Sequence, residues 1–143
     1  MNNQPEKILV VDDTAHIQRL LSQMLSAQGY EVQVAADGIS ALDAVKADPP
    51  DLILLDIMMP IMDGYEVCRQ LKADPKTRDI PVIFISARDD MEDKIEGFAV
   101  GGVDYVTKPF QVREVQARVQ THLTLRALRR SLQATNEALA AQL

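Results

Sequence analysis

The chain has 143 residues, with 21 acidic and 15 basic side chains and a formal charge of -6 at pH 7. With 47% hydrophobic and 25% charged residues, it can bury the core of one ordinary domain, which excludes wholesale disorder and fibrous repeats. No apolar run approaches the roughly 20 residues of a membrane-spanning helix, and residues 1–7 lack the apolar stretch of a secretory signal. We therefore expect a cytoplasmic protein with no membrane partner.

Short apolar runs alternate with helical patterns along the first three quarters of the chain. Strands are predicted at 7–11, 31–35, 52–55, 80–86 and 104–106, and helices between Thr14 and Gly29 and at about 38–47, 65–73, 91–99 and 111–143. Strands that alternate with helices and are almost continuously apolar predict a parallel sheet covered on both faces. Five such units fit a doubly wound α/β fold with the flavodoxin-like strand order 2-1-3-4-5 and an extended C-terminal helix.

Polar side chains follow several of the predicted strands. Asp12 and Asp13 come after the first strand, Asp56 after the third, Ser86 ends the fourth, and Lys108 follows the fifth. In such a sheet, ligands bind beyond the carboxyl ends of the strands, where the strand order reverses, so these side chains should converge. Each one alone is explained by a helix cap, a turn hydroxyl or a solvated cation.

Three converging carboxylates repel one another and need compensation. Lys108 supplies one positive charge, and a divalent cation can supply the rest; Mg²⁺ fits best because it prefers hard oxygen ligands and keeps waters and a phosphate oxygen. A carboxylate in this setting can attack a phosphoryl group and form an acyl phosphate. Ser86 and Lys108 would then bind the oxygens of the transferred group.

Four linked motifs resemble the receiver domain of two-component response regulators. They are VVDD at 10–13, LLDIMMP at 54–60 with Asp63-Gly64 beyond, ISA at 85–87 and DYVTKPF at 104–110. The resemblance extends in order from residue 5 to about 122, which divides the chain into a receiver domain at 1–122 and a helical extension at 123–143.

The resemblance implies that Asp56 is the phosphoacceptor, so that the chain is a phosphoprotein rather than a turnover enzyme. The donor would be a phosphohistidine on a sensor histidine kinase or a histidine phosphotransfer protein. The activity would be limited to self-phosphorylation from small donors and self-dephosphorylation. Mg²⁺ would be bound directly by Asp13, Asp56 and the backbone carbonyl of Met58, and through water by Asp12.

The resemblance also implies a conformational switch. Lys108 would contact the phosphoryl group, and its bond to Pro109 is expected to be cis. Ser86 matches the switch hydroxyl of the family and Tyr105 its switch aromatic. The phosphoryl group would draw in Ser86, Tyr105 would turn inward behind it, and the surface near the fourth helix would change.

Two other classes of protein share parts of this pattern. A phosphatase of the haloacid-dehalogenase type also uses a strand-end Asp, Mg²⁺, a hydroxyl and a lysine, but it needs a second Asp two residues after the first. Met58 and Thr14 stand at those positions after Asp56 and Asp12. A flavodoxin shares the fold, but Asp12 and Asp13 would repel the phosphate of its cofactor.

The end of the long C-terminal helix carries an apolar stripe with coiled-coil spacing. Its members, at steps of 3, 4, 3 and 4, are Leu125, Leu128, Leu132, Thr135 and Leu139. The stripe is either part of a solvated rod or the seam of a homodimer. It resembles the extended helix that links receivers to kinase or cyclase modules, so the chain is either a stand-alone receiver or a receiver from a larger hybrid protein.

The charge balance changes along the chain. Residues 111–143 contain two acidic and five basic side chains, whereas the preceding part is strongly acidic. Arg126, Arg129 and Arg130 are predicted to form a solvated face, and no helix-turn-helix fits in the remaining residues. Because duplex binding relies on basic surfaces, we expect no direct DNA binding.

Overall fold

The computed structural model describes residues 4–143, in which five strands alternate with five helices. The elements are β1 (Lys7–Val11), α1 (Ala15–Ala27), β2 (Glu31–Ala35), α2 (Gly38–Ala47), β3 (Leu52–Leu55), α3 (Gly64–Ala73), β4 (Val82–Ser86), α4 (Met91–Ala99), β5 (Asp104–Thr107) and α5 (Val112–Ala141). All strand pairs are parallel, in the order β2-β1-β3-β4-β5. The predicted fold class, including the long C-terminal helix, is confirmed.

Two apolar layers bury the sheet. Along β3, Leu52 and Leu54 face α1 and α5, while Ile53 and Leu55 face the opposite layer with α2 and α3. This alternation is the period-2 geometry of a strand, and burial on both faces explains why the strand has no polar residue. Packing on both faces therefore fixes the position of the strands whose ends carry the polar side chains.

Some element bounds differ from the sequence prediction for local reasons. The fourth strand begins at Val82 rather than at residue 80, because the amide of Ile80 is used in a turn with the carbonyl of Thr77 and Pro81 has no amide hydrogen. The fifth strand extends to Thr107, which pairs with Ser86. Gly29 has a φ of 94° and ends the first helical unit, as its position after the apolar stripe indicated.

The long helix α5 passes through two environments. Its first part packs on the sheet through Val115, Val119 and Leu123, which are buried. Beyond residue 124 its leucines are exposed; Leu132, for example, keeps 63% of its accessible surface. No helix within residues 4–143 is long and apolar enough to cross a membrane.

Candidate functional site

The backbone at the centre of the sheet brings the first and third strand ends together. The amide of Asp56 donates to the carbonyl of Val11 at 2.9 Å, which continues the ladder between β1 and β3 past their last strand residues. The loop after β3 folds tightly back, since a Cβ atom at Gly64 would lie 2.3 Å from the Asp56 carbonyl oxygen. Only glycine fits there, which explains the Asp63-Gly64 pair.

Asp12, Asp13 and Asp56 form a compact carboxylate cluster. One carboxylate oxygen from each residue lies within 4.8 Å of the others. Asp12 and Asp56 are only 2% and 5% exposed, whereas Asp13 is open to solvent. Three hard oxygen donors around one solvent-accessible point are the ligand set that Mg²⁺ prefers, so these residues fit the cation that the resemblance implies.

Lys108 brings one positive charge into this cluster from the other half of the chain. Its ammonium nitrogen lies 2.8 Å from Oδ2 of Asp12 and 3.8 Å from Oδ1 of Asp56. The amide of Lys108 donates to the carbonyl of Ser86 at 2.8 Å, and the bond to Pro109 is cis. One ammonium leaves two of the three negative charges uncompensated.

The electrostatic surroundings alter the acidity of Asp56. Burial raises the pKa of this carboxyl to about 6; Lys108 opposes the shift, while Asp12 and Asp13 add to it. At pH 7 the side chain is still mainly a carboxylate, and therefore a nucleophile, but one of higher basicity than an exposed aspartate.

Met58 lies in the tight loop that follows Asp56. Its amide approaches Oδ1 of Asp56 at 3.4 Å, so the backbone of this residue borders the carboxylate cluster. Further along the loop, Ile61 has a φ of 73° and is fully exposed. A β-branched residue rarely adopts this conformation, so the backbone of the loop is strained at this position.

Ser86 and Tyr105 lie behind the cluster, on β4 and β5. Ser86 is completely buried, and its Oγ accepts a hydrogen bond of 3.2 Å from the amide of Arg88. The Tyr105 hydroxyl donates to the carbonyl of the same Arg88 at 2.7 Å, and the side chain is 8% exposed. The sequence led us to expect an inward turn of Tyr105 during switching; here the ring already points inward.

Tyr65 belongs to the same group of aromatic side chains as Tyr105, and the sequence analysis did not identify it as a site residue. Its ring packs 5.6 Å from that of Phe84, which in turn lies 6.3 Å from Tyr105. The Tyr65 hydroxyl donates to the carbonyl of Asp93 in the first turn of α4 at 3.0 Å. The pattern after Asp63-Gly64 indicated only a helix start, and no local signal relates Tyr65 to a carbonyl 28 residues away.

The comparisons with known proteins define the class of this chain. The family model described as "Response regulator receiver domain" matches residues 8–120, and the chain belongs to this family. Membership of this family sets aside the phosphatase and flavodoxin alternatives. A solved structure of a putative response regulator from Chloroflexus aurantiacus superposes with a TM-score of 0.81 at 36% identity, covering 84% of this chain and 98% of that one.

Its sequence relatives include transcriptional regulators. The chain is 47% identical over 120 residues to the probable transcriptional regulator ycf27 of Porphyridium aerugineum, covering 84% of this chain and 49% of the relative. It is 46% identical over 117 residues to the DNA-binding dual master transcriptional regulator RpaA of Synechocystis, covering 82% and 48%. The chain thus spans about half the length of these two regulators.

These relatives correct one expectation. From the acidic charge and the absence of a helix-turn-helix we excluded direct DNA binding, and that exclusion is wrong as a statement about proteins with this domain. RpaA carries a domain that is 46% identical to this chain and is a DNA-binding regulator. The reason for the error is physical: the net charge of a receiver describes the receiver's own surface and says nothing about a region that a receiver controls.

Proposed function

We propose that this chain is a phosphorylation-controlled receiver in which Asp56 accepts a phosphoryl group from a phosphohistidine. The observation that carries the proposal is the position of Asp56, buried between two other carboxylates and 3.8 Å from the ammonium of Lys108. The family supports the same chemistry. The donor would be a sensor histidine kinase or a histidine phosphotransfer protein.

In the proposed reaction a carboxylate oxygen of Asp56 forms a bond to phosphorus. The phosphorus–nitrogen bond of the donor breaks, its electron pair stays on the imidazole, and the ring nitrogen takes a proton from solvent. Lys108 would bind an oxygen of the transferred group, because its ammonium already lies between Asp12 and Asp56. Ser86 would bind a second oxygen through its hydroxyl.

The carboxylate cluster would hold a magnesium ion during this transfer. Asp13, Asp56 and the backbone carbonyl of Met58 are the proposed direct ligands, and Asp12 is proposed to bind through water. When bound, Mg²⁺ offsets the negative charge that the cluster and the phosphoryl group bring together. Residues 4–143 supply one nearby ammonium, Lys108, against three carboxylates, and this charge imbalance supports the proposal.

The proposed switch acts through the segment that joins β4 to α4. If Ser86 Oγ turns towards a phosphoryl oxygen, the amide of Arg88 loses its acceptor. The carbonyl of Arg88 is also held by Tyr105, so the loop and this aromatic ring would move together. The surface around α4 and β5 would then differ between the two states.

The proposed output is control of transcription through a region outside this receiver. The supporting observations are the likeness to two transcriptional regulators and the chain's coverage of about half of their length. We propose residues 123–143 as the connection, because α5 runs past the sheet as a continuous helix to Ala141. A hybrid kinase or cyclase protein remains the alternative setting for the same receiver.

Acetyl phosphate provides a direct test of the phosphoacceptor. The wild-type chain should gain one phosphoryl group in intact mass when incubated with acetyl phosphate and Mg²⁺, and removal of Mg²⁺ should abolish the gain. Asp56→Asn should not be labelled, whereas the matched control Asp89→Asn, an exposed aspartate on the β4–α4 loop, should be labelled like wild type. Equal labelling of Asp56→Asn would overturn the assignment.

A further inference from the structure

A cleft lies between α5 and the loop that joins α3 to β4, at the amino ends of the strands and away from the carboxylate cluster. Its volume is about 210 Å³. The polar side chains that line it are Lys76 and Asp79 from the loop, and Arg126, Arg129, Arg130 and Gln133 from α5. Four cationic groups therefore surround one carboxylate in a protein whose net charge is -6.

Most of this positive charge has no partner. Arg69 pairs with Glu96 and Arg118 with Asp104, as expected in an acidic protein. In the part of the chain that the structure describes, by contrast, Lys76, Arg129 and Arg130 form no ion pair. Because unpaired cations of like sign repel one another, the cleft is a site where an anion would gain free energy.

Arg126 is the least exposed of the arginines that line this cleft. Its side chain is only 12% exposed and donates to Oδ1 of Asp51 at 2.6 Å. Its Nε is buried and, among residues 4–143, has no hydrogen-bond partner. Burial, together with repulsion from Arg130, lowers the pKa of Arg126 from its usual value. Because Nε has no accessible surface, Arg126 can act on an anion through its charge and through the terminal N–H groups that Asp51 does not use, which Arg presents in a planar fork.

The size of the cleft limits the anion. A volume of about 210 Å³ is roughly that of seven water molecules, which admits two or three linked phosphoryl groups but no duplex. We propose that this cleft is a binding site for a small polyphosphate anion, held by Arg126, Arg129 and Arg130 on one side and Lys76 on the other. Because these residues belong to two elements, the bound anion would tie α5 to the α3–β4 loop.

Calorimetric titration with inorganic tripolyphosphate, in Mg²⁺-free buffer at constant ionic strength, tests the proposal. The full chain should bind one equivalent, and the double variant Arg129→Gln/Arg130→Gln should bind about tenfold more weakly or not at all. The control Arg19→Gln/Arg113→Gln removes the same charge from exposed positions outside the cleft and should stay within about twofold of wild type. Lys76→Gln should weaken binding from the opposite wall.

Nuclear magnetic resonance adds a readout that general electrostatics would not move. The backbone amides around residues 76–79 and 126–130 should shift on addition of tripolyphosphate, because these two segments line the cleft. Absence of binding at millimolar tripolyphosphate, an equal loss in both double variants, or shifts centred on Lys108 instead would overturn the proposal. The labelling of Asp56 by acetyl phosphate should be unchanged in Arg129→Gln/Arg130→Gln, so the two proposals fail independently.

Discussion

The carboxylate cluster and the C-terminal half of α5 differ in the sequence separation of the residues that contact each other. The cluster is held by contacts between distant parts of the chain: Lys108 meets Asp12 across 96 residues. Beyond residue 130, the side-chain hydrogen bonds of α5 are local, such as that from the Thr135 hydroxyl to the carbonyl of Ser131. Buried charge appears only in the first region and exposed leucines dominate the second.

This difference predicts how substitutions in the two regions will change the free energy of unfolding. In the body, the sheet forces like charges into a buried pocket, where each charge is destabilising until something compensates it. In the terminal half of α5, nothing within residues 4–143 covers the leucine stripe, so substitutions there should cost little in the isolated chain. Four predictions, made with five substitutions and their controls, test this contrast.

The largest effect is expected from Leu123, and Leu132, further along the same helix, provides the comparison. Leu123→Ala should lower the free energy of unfolding by about 3 kcal/mol, because this side chain is 3% exposed and its removal leaves a cavity. Leu132→Ala should change it by less than about 0.5 kcal/mol. Urea denaturation at low protein concentration measures both. Equal losses would show that the terminal half of α5 is packed as tightly as the first half.

Asp56→Asn should stabilise the metal-free chain by about 2 kcal/mol. Burial and the neighbouring carboxylates raise the pKa of Asp56 to about 6, so at pH 7 its carboxylate costs more free energy in the folded state than in the unfolded state. A neutral amide of the same shape removes that penalty. Urea denaturation in a chelating buffer gives the difference. Asp89→Asn should leave stability unchanged, and a destabilised Asp56→Asn would contradict the electrostatic account.

Asp104→Asn should destabilise the chain by about 1.5 kcal/mol at pH 7. Burial tends to raise the pKa of Asp104, but hydrogen bonds from His122, the amide of Tyr105 and Arg118 outweigh it, and the pKa is lowered. A lowered carboxyl pKa contributes stability above its unfolded value and loses it as the pH falls through the folded value.

The difference in free energy of unfolding between wild type and Asp104→Asn should therefore have its full value near pH 6 and shrink below about pH 4. Thermal unfolding at several pH values measures it. A difference that grows on acidification would show that the carboxylate is not the stabilising form.

Tyr65→Phe should cost about 1 kcal/mol, because it removes the hydrogen bond to the carbonyl of Asp93 while keeping the ring against Phe84. Hydrogen exchange in the first turn of α4 should become faster as that contact is lost. Tyr30→Phe is the control, since Tyr30 lies at the other end of the sheet. If both variants exchange alike at α4, Tyr65 does not hold that helix.

Much of the fold was readable from the sequence because it rests on local patterns. The apolar runs and helical stripes predicted all ten elements, and the rule that parallel strands place their carboxyl ends at one edge predicted that Asp12, Asp13 and Asp56 would meet. The resemblance to receiver domains predicted the cis bond between Lys108 and Pro109, and the structure has it. The exclusion of DNA failed because charge composition does not report on a separate output region.

The sequence by itself determined the order of the elements, the polar side chains at the strand ends and the helical character of residues 112–141, since each depends on residue type and spacing along the chain. Only the tertiary structure decided the acidity of Asp56, the inward position of Tyr105, the contact of Tyr65 with α4 and the basic cleft beside Arg126. These properties depend on distances between groups far apart in sequence, and burial and Coulomb interactions follow those distances.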